Sequence, residues 1–473
     1  MSPVSPEIAT FVFAIGILGL FWLDRDPETR TSAGLWIPVV WLLIAGSRPV
    51  STWLHMTPPV NQPDAYLDGS PIDRIVLAVL LTLGLFVLLK RGQEVTMLLR
   101  ANFPILLFFS YCGMSALWSD YPDVATKRWI KFAGNLVMVL IVLTDTRPTV
   151  AVKRLLSHTG FVVLPLSVLL VKYYPDLGRM YSPGDSVMSP WKLMFIGVSD
   201  TKNGLGSICL MFGLGAVWRF TELLREKDDP HRRRRLIAQA ALLLVTLWLF
   251  SKADSMTSLS CFLVASALIV ATNLRLARRR VMVHLLVAGS LSLSVLVIFV
   301  APSLLATFGR DPTLTGRTDI WKVVLDMAGS PLFGTGFESF WLGPRLQRIW
   351  TMYWWHPNEA HNGYLELFLN LGWVGIALFA TIVVTGYRNV ITALMTDPDF
   401  GRIRLAYFVV GIMFNFTESG FRMIDPVWLL FLLTAIVIPG DEVSHVSDYA
   451  ISKNEHWLEA DNSFDDGSPT EAV

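Results

Sequence analysis

Residues 354–375 read WWHPNEAHNGYLELFLNLGWVG and carry the chain from a polar loop into an apolar run. Pro357 and Asn358 are residue types that favour the start of a helix, so we predict that a helix begins there. His361 would then lie in the first helical turn. The segment is predicted to enter a membrane-embedded bundle with His361 at the entrance.

The composition excludes a soluble chain of this length. Its 473 residues have a mean hydropathy of +0.50, with 53% hydrophobic and only 16% charged residues. Apolar runs near the length of a membrane span recur along it. We predict an all-α polytopic membrane protein with about 12 to 13 transmembrane helices. They are expected near residues 7–23, 33–47, 72–90, 103–118, 129–144, 155–172, 204–223, 236–251, 257–273, 281–301, 363–387, 403–418 and 426–439.

This pattern divides the chain into two parts. Residues 1–440 are expected to form a single transmembrane domain, and residues 441–473 a disordered, acidic cytoplasmic tail. The three cysteines lie in apolar runs and are expected to be packing residues. The net charge of +1 gives no reason to expect a nucleic-acid partner.

Basic residues predict the orientation. Lysines and arginines cluster in alternate loops, most strongly at 225–235 and 275–280, and these loops should be cytoplasmic. The loops 48–71, 173–203 and 302–360 then lie on the opposite, periplasmic face. A loop as long as 302–360 usually has a function or structure of its own.

Within that loop, residues 315–328, TGRTDIWKVVLDMA, have helical periodicity and predict an amphipathic helix at the membrane surface. Arg317 would lie in its first turn. A guanidinium group at a helix N-terminus suits an anion such as a diphosphate. Alternatively, Arg317 contacts lipid phosphates or pairs with Asp319.

His361 is the main candidate for proton transfer. In the first turn of a helix it would face the positive end of the helix dipole, which favours a neutral imidazole able to accept a proton. Gly372 and Gly375 share its helical face, so this face should look into the bundle. The alternative is a structural histidine that caps a neighbouring loop.

Further polar residues are predicted on the periplasmic rim. Lys202 and Asn203 precede a membrane helix and could bind a phosphate at its N-terminus, or act only as interfacial residues. The same loop contributes Arg179 and Lys192. Glu418 and Arg422, at the last outer turn, are further candidates.

Several kinds of site are missing from the sequence. It contains no P-loop, no dinucleotide-binding fingerprint in a strand–helix setting and no HExxH-type metal motif. We therefore expect no cofactor and no metal. An enzyme without a soluble domain for a nucleotide sugar would take its donor from the membrane.

These residues resemble the superfamily of O-antigen ligases and O-antigen polymerases. His361 and Asn362, followed by Gly372 and Gly375, reproduce the spacing of the ligase motif. The stretches TGRTDIW, PLFGTGFESF, VSDTKNGLG and SKADSMTSLS are similar to other family segments, in the expected order. WSDYPDVATKRW, residues 118–129, is similar to the exopolysaccharide polymerase branch.

The resemblance implies a glycosyltransferase of the GT-C type that uses an undecaprenyl-diphosphate-linked glycan as donor, without metal. By the same resemblance, His361 is the general base for the acceptor hydroxyl, and Arg317 binds the diphosphate with a second cation such as Lys202 or Arg179. Arg310 matches a family Arg-x-x-x-Leu pattern and is the alternative to Arg317.

The leading hypothesis is a polymerase that extends exopolysaccharide or O-antigen at the periplasmic face of the bacterial inner membrane. A ligase that transfers the glycan to lipid A core is the near alternative. A flippase would be expected to show internal repeats and charges at mid-membrane. An assembly component would not need His361. Membrane lipid and proteins for polysaccharide export or chain-length control are the expected partners.

Overall fold

The computed structural model describes residues 4–26, 30–56, 67, 69–186, 189–227, 230–274, 279–306, 315–353 and 355–438. Arg310 and the predicted tail 441–473 lie outside these residues. Helices dominate the described chain, whose one sheet is a two-stranded hairpin. The predicted all-α architecture is therefore confirmed.

The helices follow one another through short connections. The first half contains α1 (Pro6–Asp24), α2 (Trp36–Ala45), α3 (Val50–Trp53), α4 (Pro71–Lys90), α5 (Gly92–Ala101), α6 (Phe103–Met114), α7 (Pro122–Leu143), α8 (Pro148–Tyr173) and α9 (Pro175–Gly178). The second half contains α10 (Lys202–Arg225), α11 (Arg232–Ala253), α12 (Met256–Ala271), α13 (Arg280–Ala306), α14 (Thr315–Asp326), α15 (Gly343–Met352), α16 (Gly363–Thr396), α17 (Pro398–Phe414) and α18 (Pro426–Ala435). Many start with proline in the first turn, where no backbone donor is needed.

Six of the described helices, α1, α4, α8, α10, α11 and α16, are long and apolar enough to cross a membrane. The pair formed by α5 and residues 103–118 is bent by 89° and would add a seventh span. Each of the thirteen predicted segments coincides with a helix, but α2 and α18 have ten residues each. At about 1.5 Å per residue, ten residues cover only about half of a 30 Å hydrocarbon layer. The described chain is thus a multi-pass membrane protein.

The predicted basic loop 225–235 lies at one end of the bundle, beside the start of α17 and the residues after α1. Arg225 at the end of α10 pairs with Asp399 at the start of α17, 2.8 Å apart. Arg235 at the start of α11 pairs with Asp26 after α1, 3.0 Å apart. This shared location agrees with the alternating charge pattern of the sequence.

One loop of the opposite face contains a hairpin that the sequence reading treated as irregular. Strand β1 (Arg179–Ser186) pairs antiparallel with β2 (Ser189–Phe195). Arg179 lies opposite Phe195, and Tyr181 opposite Leu193. The aromatic and apolar residues of SPWKLMF were the available signal for a strand.

Aromatic side chains pack against one another in the bundle beneath the outer loops. Phe132 of α7 stacks on Trp428 of α18 with ring centroids 5.2 Å apart, and on Phe109 at 4.6 Å. Phe337 of the long loop contacts the ring of Phe132, with centroids 4.8 Å apart. The long loop is therefore joined to the bundle core.

The long loop also has a small core of its own. The predicted amphipathic helix is present as α14, whose Ile320 and Val324 are buried against Phe340 and other apolar side chains. Leu325, assigned to the apolar face from the sequence, is 48% exposed. Trp321 donates its indole N–H to the carbonyl of Ala360, 2.8 Å away. This packing holds α14 beside the segment that carries His361.

The long helix α16 is broken at Gly372, which has φ 63° and ψ −164°. The loop 331–336, PLFGTG, lies across the break. Trp373 N–H donates to the Pro331 carbonyl at 2.9 Å, and Gly336 N–H donates to the Asn370 carbonyl at 2.9 Å. The sequence prediction of one continuous helical face from His361 to Gly375 is therefore wrong, because the chain exchanges helical hydrogen bonds for bonds to this loop.

We expect Gly372→Ala to destabilise the protein by about 2 kcal/mol or more. The positive φ disfavours a side chain, and a Cβ atom there would lie 2.4 Å from the backbone carbon of Leu332. Thermal unfolding in detergent measures the effect. Gly289→Ala in α13 is the control, because a Cβ there meets no atom within 4 Å. Equal melting temperatures for both variants would contradict the need for glycine at position 372.

Candidate functional site

The candidate site forms where α16 begins. Asn362 caps this helix, since its side-chain oxygen accepts the backbone N–H groups of Tyr364 and Leu365 at 3.1 and 3.0 Å. The Gly363 N–H donates to the carbonyls of Asn415 and Glu418. Helix α16 therefore starts at Gly363, as the predicted span 363–387 does, and not at the helix start inferred from Pro357 and Asn358. Its N-terminus is bonded to the turn after α17.

His361 precedes the cap and is not part of the helix. Its φ of 50° is a left-handed conformation that costs a non-glycine residue about 1–2 kcal/mol. Nδ1 lies 2.9 Å from a carboxylate oxygen of Glu359 and 3.4 Å from one of Glu418. The Nδ1 contacts lack hydrogen-bond alignment, so they are ion-pair contacts. The ring faces Trp355, with centroids 6.4 Å apart.

Glu366 and Trp341 hold the backbone just before His361. The buried Glu366 carboxylate accepts the Ala360 N–H at 2.6 Å and the Trp341 indole N–H at 2.9 Å. One turn later, Asn370 accepts the backbone N–H of Phe340 at 3.0 Å. These bonds attach the long loop to α16 and help to maintain the strained backbone at His361.

Glu418 brings together three separate parts of the chain. Its carboxylate pairs with Arg317 of α14 at 3.1 Å and accepts a hydrogen bond from Asn203 of α10 at 2.9 Å. Arg317 also donates to the Thr417 carbonyl. The Glu418 side chain is only 7% exposed. A buried carboxylate needs such partners, so Glu418 fixes the position of Arg317 next to His361.

Glu359 and Arg422 form the second ion pair of the cluster, 2.5 Å apart. Burial alone would raise the pKa of Glu359, but Arg422 and His361 lower it to about 2. Burial opposes the charge of Arg422, whereas the carboxylates around it, Glu359 above all, raise its pKa. Both groups are therefore ionised at neutral pH.

Two carboxylates determine the pKa of the imidazole. Burial lowers its pKa, but the contacts with Glu359 and then Glu418 outweigh burial and raise the pKa of His361 to about 9. The expectation of a neutral imidazole is therefore wrong for the empty site. His361 lies outside the helix, and two carboxylates act on it more strongly than the helix dipole.

This shift predicts how stability depends on pH. Because the folded pKa of about 9 exceeds the ordinary 6.5, the stabilising contribution is complete below pH 6.5 and is lost as the pH rises through 9. We expect the melting temperature of the wild type to fall between pH 7 and 10 by about 1–3 °C more than that of His361→Gln. Differential scanning fluorimetry in detergent tests this. Parallel pH profiles for the two proteins would refute the shift.

The other predicted residues have different surroundings. Lys202 pairs with Asp254 at 3.3 Å, and Lys192 pairs with the same carboxylate at 3.5 Å. Arg179 donates to the Val171 carbonyl at 2.9 Å, at the base of the hairpin. The structure thus gives Lys202 and Arg179 partners outside the cluster around His361.

A cavity of about 520 Å³ adjoins the cluster. Glu359, Glu418 and Arg422 line one side, and the start of α10, including Asn203, lines another. This volume is within the range of ligand-binding sites. The cavity can therefore hold a substrate group beside the carboxylates that contact His361.

Glu359, His361 and Glu418 also have the spacing of metal ligands, with candidate atoms within 4.8 Å of one another. Both carboxylates, however, already pair with arginines, Glu359 with Arg422 and Glu418 with Arg317. A divalent cation would have to compete with these guanidinium groups and displace the proton of His361.

Neither Glu359 nor Lys131 was named as a candidate from the sequence. Glu359 was treated as loop, although an acid two residues before a candidate base was a usable signal. Lys131 of α7 lines the cavity and was also missed. A lysine within the apolar run 129–144 was the signal that could have identified it.

Comparison with known proteins bears on the same region. Residues 240–380 match the family model described as O-antigen ligase. This segment includes Arg317, Glu359 and His361, and it confirms the family resemblance inferred from the motifs. Glu418 and Arg422 lie beyond the matched segment.

Named relatives extend the similarity to more of the chain. The exopolysaccharide production protein ExoQ of Rhizobium meliloti (strain 1021) is 24% identical over 315 residues, which cover 62% of this chain and 67% of ExoQ. Proteins assigned as polysaccharide ligases in Rickettsia prowazekii (strain Madrid E) and Rickettsia typhi (strain ATCC VR-144 / Wilmington) are 21% and 23% identical. Each alignment covers 71% of this chain and 80% of the relative. The chain is thus similar to proteins named for exopolysaccharide production and for polysaccharide ligation.

Proposed function

We propose that this protein is a glycosyltransferase that joins undecaprenyl-diphosphate-linked oligosaccharides into longer chains. The observation that carries the proposal is the cluster of His361, Glu359, Glu418 and Arg317 beside the cavity. It combines a base with a cation suited to a diphosphate leaving group. Its location in a membrane bundle supports a lipid-linked donor.

In the proposed reaction, neutral His361 accepts the proton of the acceptor hydroxyl. The acceptor oxygen forms a bond to the anomeric carbon of the donor sugar, while the bond from that carbon to the diphosphate oxygen breaks. The diphosphate leaves with the electron pair, and Arg317 stabilises its charge. The high pKa of His361 makes its neutral form a strong base, although only about a hundredth of it is neutral at pH 7.

The location follows from the same reasoning. The basic loop that contains Arg225 and Arg235 lies at one end of the bundle. We assign that end to the cytoplasm and the cluster to the periplasmic face of a bacterial inner membrane. Proteins for chain-length control and polysaccharide export are the proposed partners, since the product must leave this face.

A ligase that transfers the glycan to lipid A core is the second candidate. The family description and the two Rickettsia relatives favour it, whereas the exopolysaccharide production protein favours the polymerase. Both reactions use the same donor chemistry and differ in the acceptor. The cluster around His361 suits either acceptor hydroxyl.

The test uses the purified protein in lipid discs with an undecaprenyl-diphosphate-linked oligosaccharide. Gel electrophoresis and mass spectrometry should show a ladder of longer lipid-linked glycans, and the ladder should persist with EDTA. Transfer only after lipid A core is added would replace the polymerase with the ligase. Movement of the donor across the bilayer, undiminished in His361→Ala and without new glycosidic bonds, would contradict both reactions.

A further inference from the structure

The cavity beside the cluster is lined by seven charged side chains. Five are carboxylates, and each has a partner among the described residues. Asp73 accepts hydrogen bonds from the N–H and hydroxyl of Ser51, Asp200 pairs with Arg48, Glu359 with Arg422, Glu418 with Arg317, and Asp425 accepts the N–H of Val427. The acidic side chains are thus engaged within the protein.

Lys131 differs from all of them. It projects from α7 into the cavity lining and is partly buried. Among the described residues it has no hydrogen bond and no ion pair. Asp73 on α4 is the carboxylate whose charge favours the ammonium, but its oxygens accept the N–H and hydroxyl of Ser51 and form no ion pair with Lys131. An ammonium group that is partly removed from water without a counter-ion is unfavourable. Binding of an anion beside Lys131 would therefore be favourable.

The surroundings of Lys131 suit an anion of a particular size. Arg422 lines the same cavity, and so do Thr201, Asn203 and Gly204 at the positive end of the 24-residue helix α10. Two cationic side chains and a long helix N-terminus can share the several oxygens of a diphosphate.

We propose that Lys131 binds the diphosphate of the lipid-linked donor inside this cavity. This inference rests on the proposed function and supplies the second cation that neither Lys202 nor Arg179 provides, since neither of them lines this cavity. Glu359 and Glu418 both line the cavity, and each contacts Nδ1 of His361. A diphosphate beside Lys131 would therefore place its attached sugar next to the proposed base.

The first test measures binding without catalysis. Wild type and Lys131→Met in lipid discs are titrated with undecaprenyl diphosphate, and the rise in melting temperature gives the affinity. We expect Lys131→Met to bind about 10- to 100-fold more weakly, as for loss of one charge-assisted contact. Lys131→Arg should retain most of the affinity. Lys127→Met is the matched control, because Lys127 lies one turn earlier on α7 and is exposed.

A second readout separates a ligand-binding role from a structural one. Removing an unpaired, partly buried charge should leave the melting temperature of the empty protein unchanged or raise it. A lysine that supports the fold would lower it on substitution to Met. Lower stability of empty Lys131→Met, with unchanged affinity per folded protein, would overturn the proposal.

Two further ligands identify the anion. Inorganic diphosphate should compete with undecaprenyl diphosphate in wild type and less in Lys131→Met. Methyl glucuronide, which carries a sugar carboxylate, should not compete. Competition by the glucuronide alone would overturn the diphosphate assignment. If no glycan ladder forms but diphosphate binding depends on Lys131, the proposed reaction fails and the binding site stands.

Discussion

His361→Ala should lose at least about 10²- to 10⁴-fold of the rate of glycan transfer, the usual contribution of a general base. The imidazole lies at the helix entrance, in contact with Glu359 and Glu418, and we assign it the acceptor proton. Binding of undecaprenyl diphosphate should be largely retained, because Arg317 and Lys131 remain. Initial rates of ladder formation and the melting-temperature shift measure the two effects separately.

The pH dependence of the transfer rate tests whether His361 acts as a base. With a pKa of about 9 for His361, the rate should rise about tenfold per pH unit between pH 6 and 8 and level off near pH 9. Glu359→Gln removes a carboxylate that raises this pKa, so the plateau should begin at lower pH. A wild-type rate that instead falls as the pH passes 9 would assign His361 an electrostatic role as imidazolium.

His356→Ala is the matched control for the histidine substitution. His356 lies in the same loop and also has a positive φ of 47°, but its ring stacks on Trp350 and is exposed. Its removal should leave the transfer rate within a few-fold of wild type. Equal losses for His356→Ala and His361→Ala would point to a general loosening of the loop.

Arg317→Ala should reduce the transfer rate by about 10²- to 10³-fold, the range found when one preorganised donor to a developing charge is removed. Glu418 and the Thr417 carbonyl hold the guanidinium at the cluster, so little reorganisation is needed when the diphosphate departs. The loss should appear mainly in kcat. Arg317→Lys should recover only a small part, since an ammonium cannot reproduce the two-pronged contact.

Arg345→Ala tests whether any arginine of the long loop would have the same effect. Arg345 pairs with the exposed Asp120, outside the cluster around His361. We expect a change of less than a few-fold. If Arg345→Ala and Arg317→Ala are equally impaired while folded, Arg317 has no special role at the leaving group. Steady-state kinetics on the same donor give both values.

Hydropathy alone determined that this chain is an all-α membrane protein, because each apolar run must satisfy its backbone within a helix. Local periodicity likewise indicated α14, since its apolar spacing needs no distant partner. The His361–Asn362 motif indicated where we place the candidate site. These features depend on residues close together in the chain.

Only the tertiary structure decided the chemistry of the site. Glu418 reaches His361 because the turn after α17 bonds to Gly363, a contact that no local pattern encodes. Together with Glu359, two residues away in the chain, Glu418 reverses the expected charge state of the imidazole, since the two carboxylates outweigh a helix dipole. Lys131 became a candidate only in the tertiary structure, where α4, α7 and α10 line one cavity. Whether a charged side chain has a partner depends on which residues folding places around it.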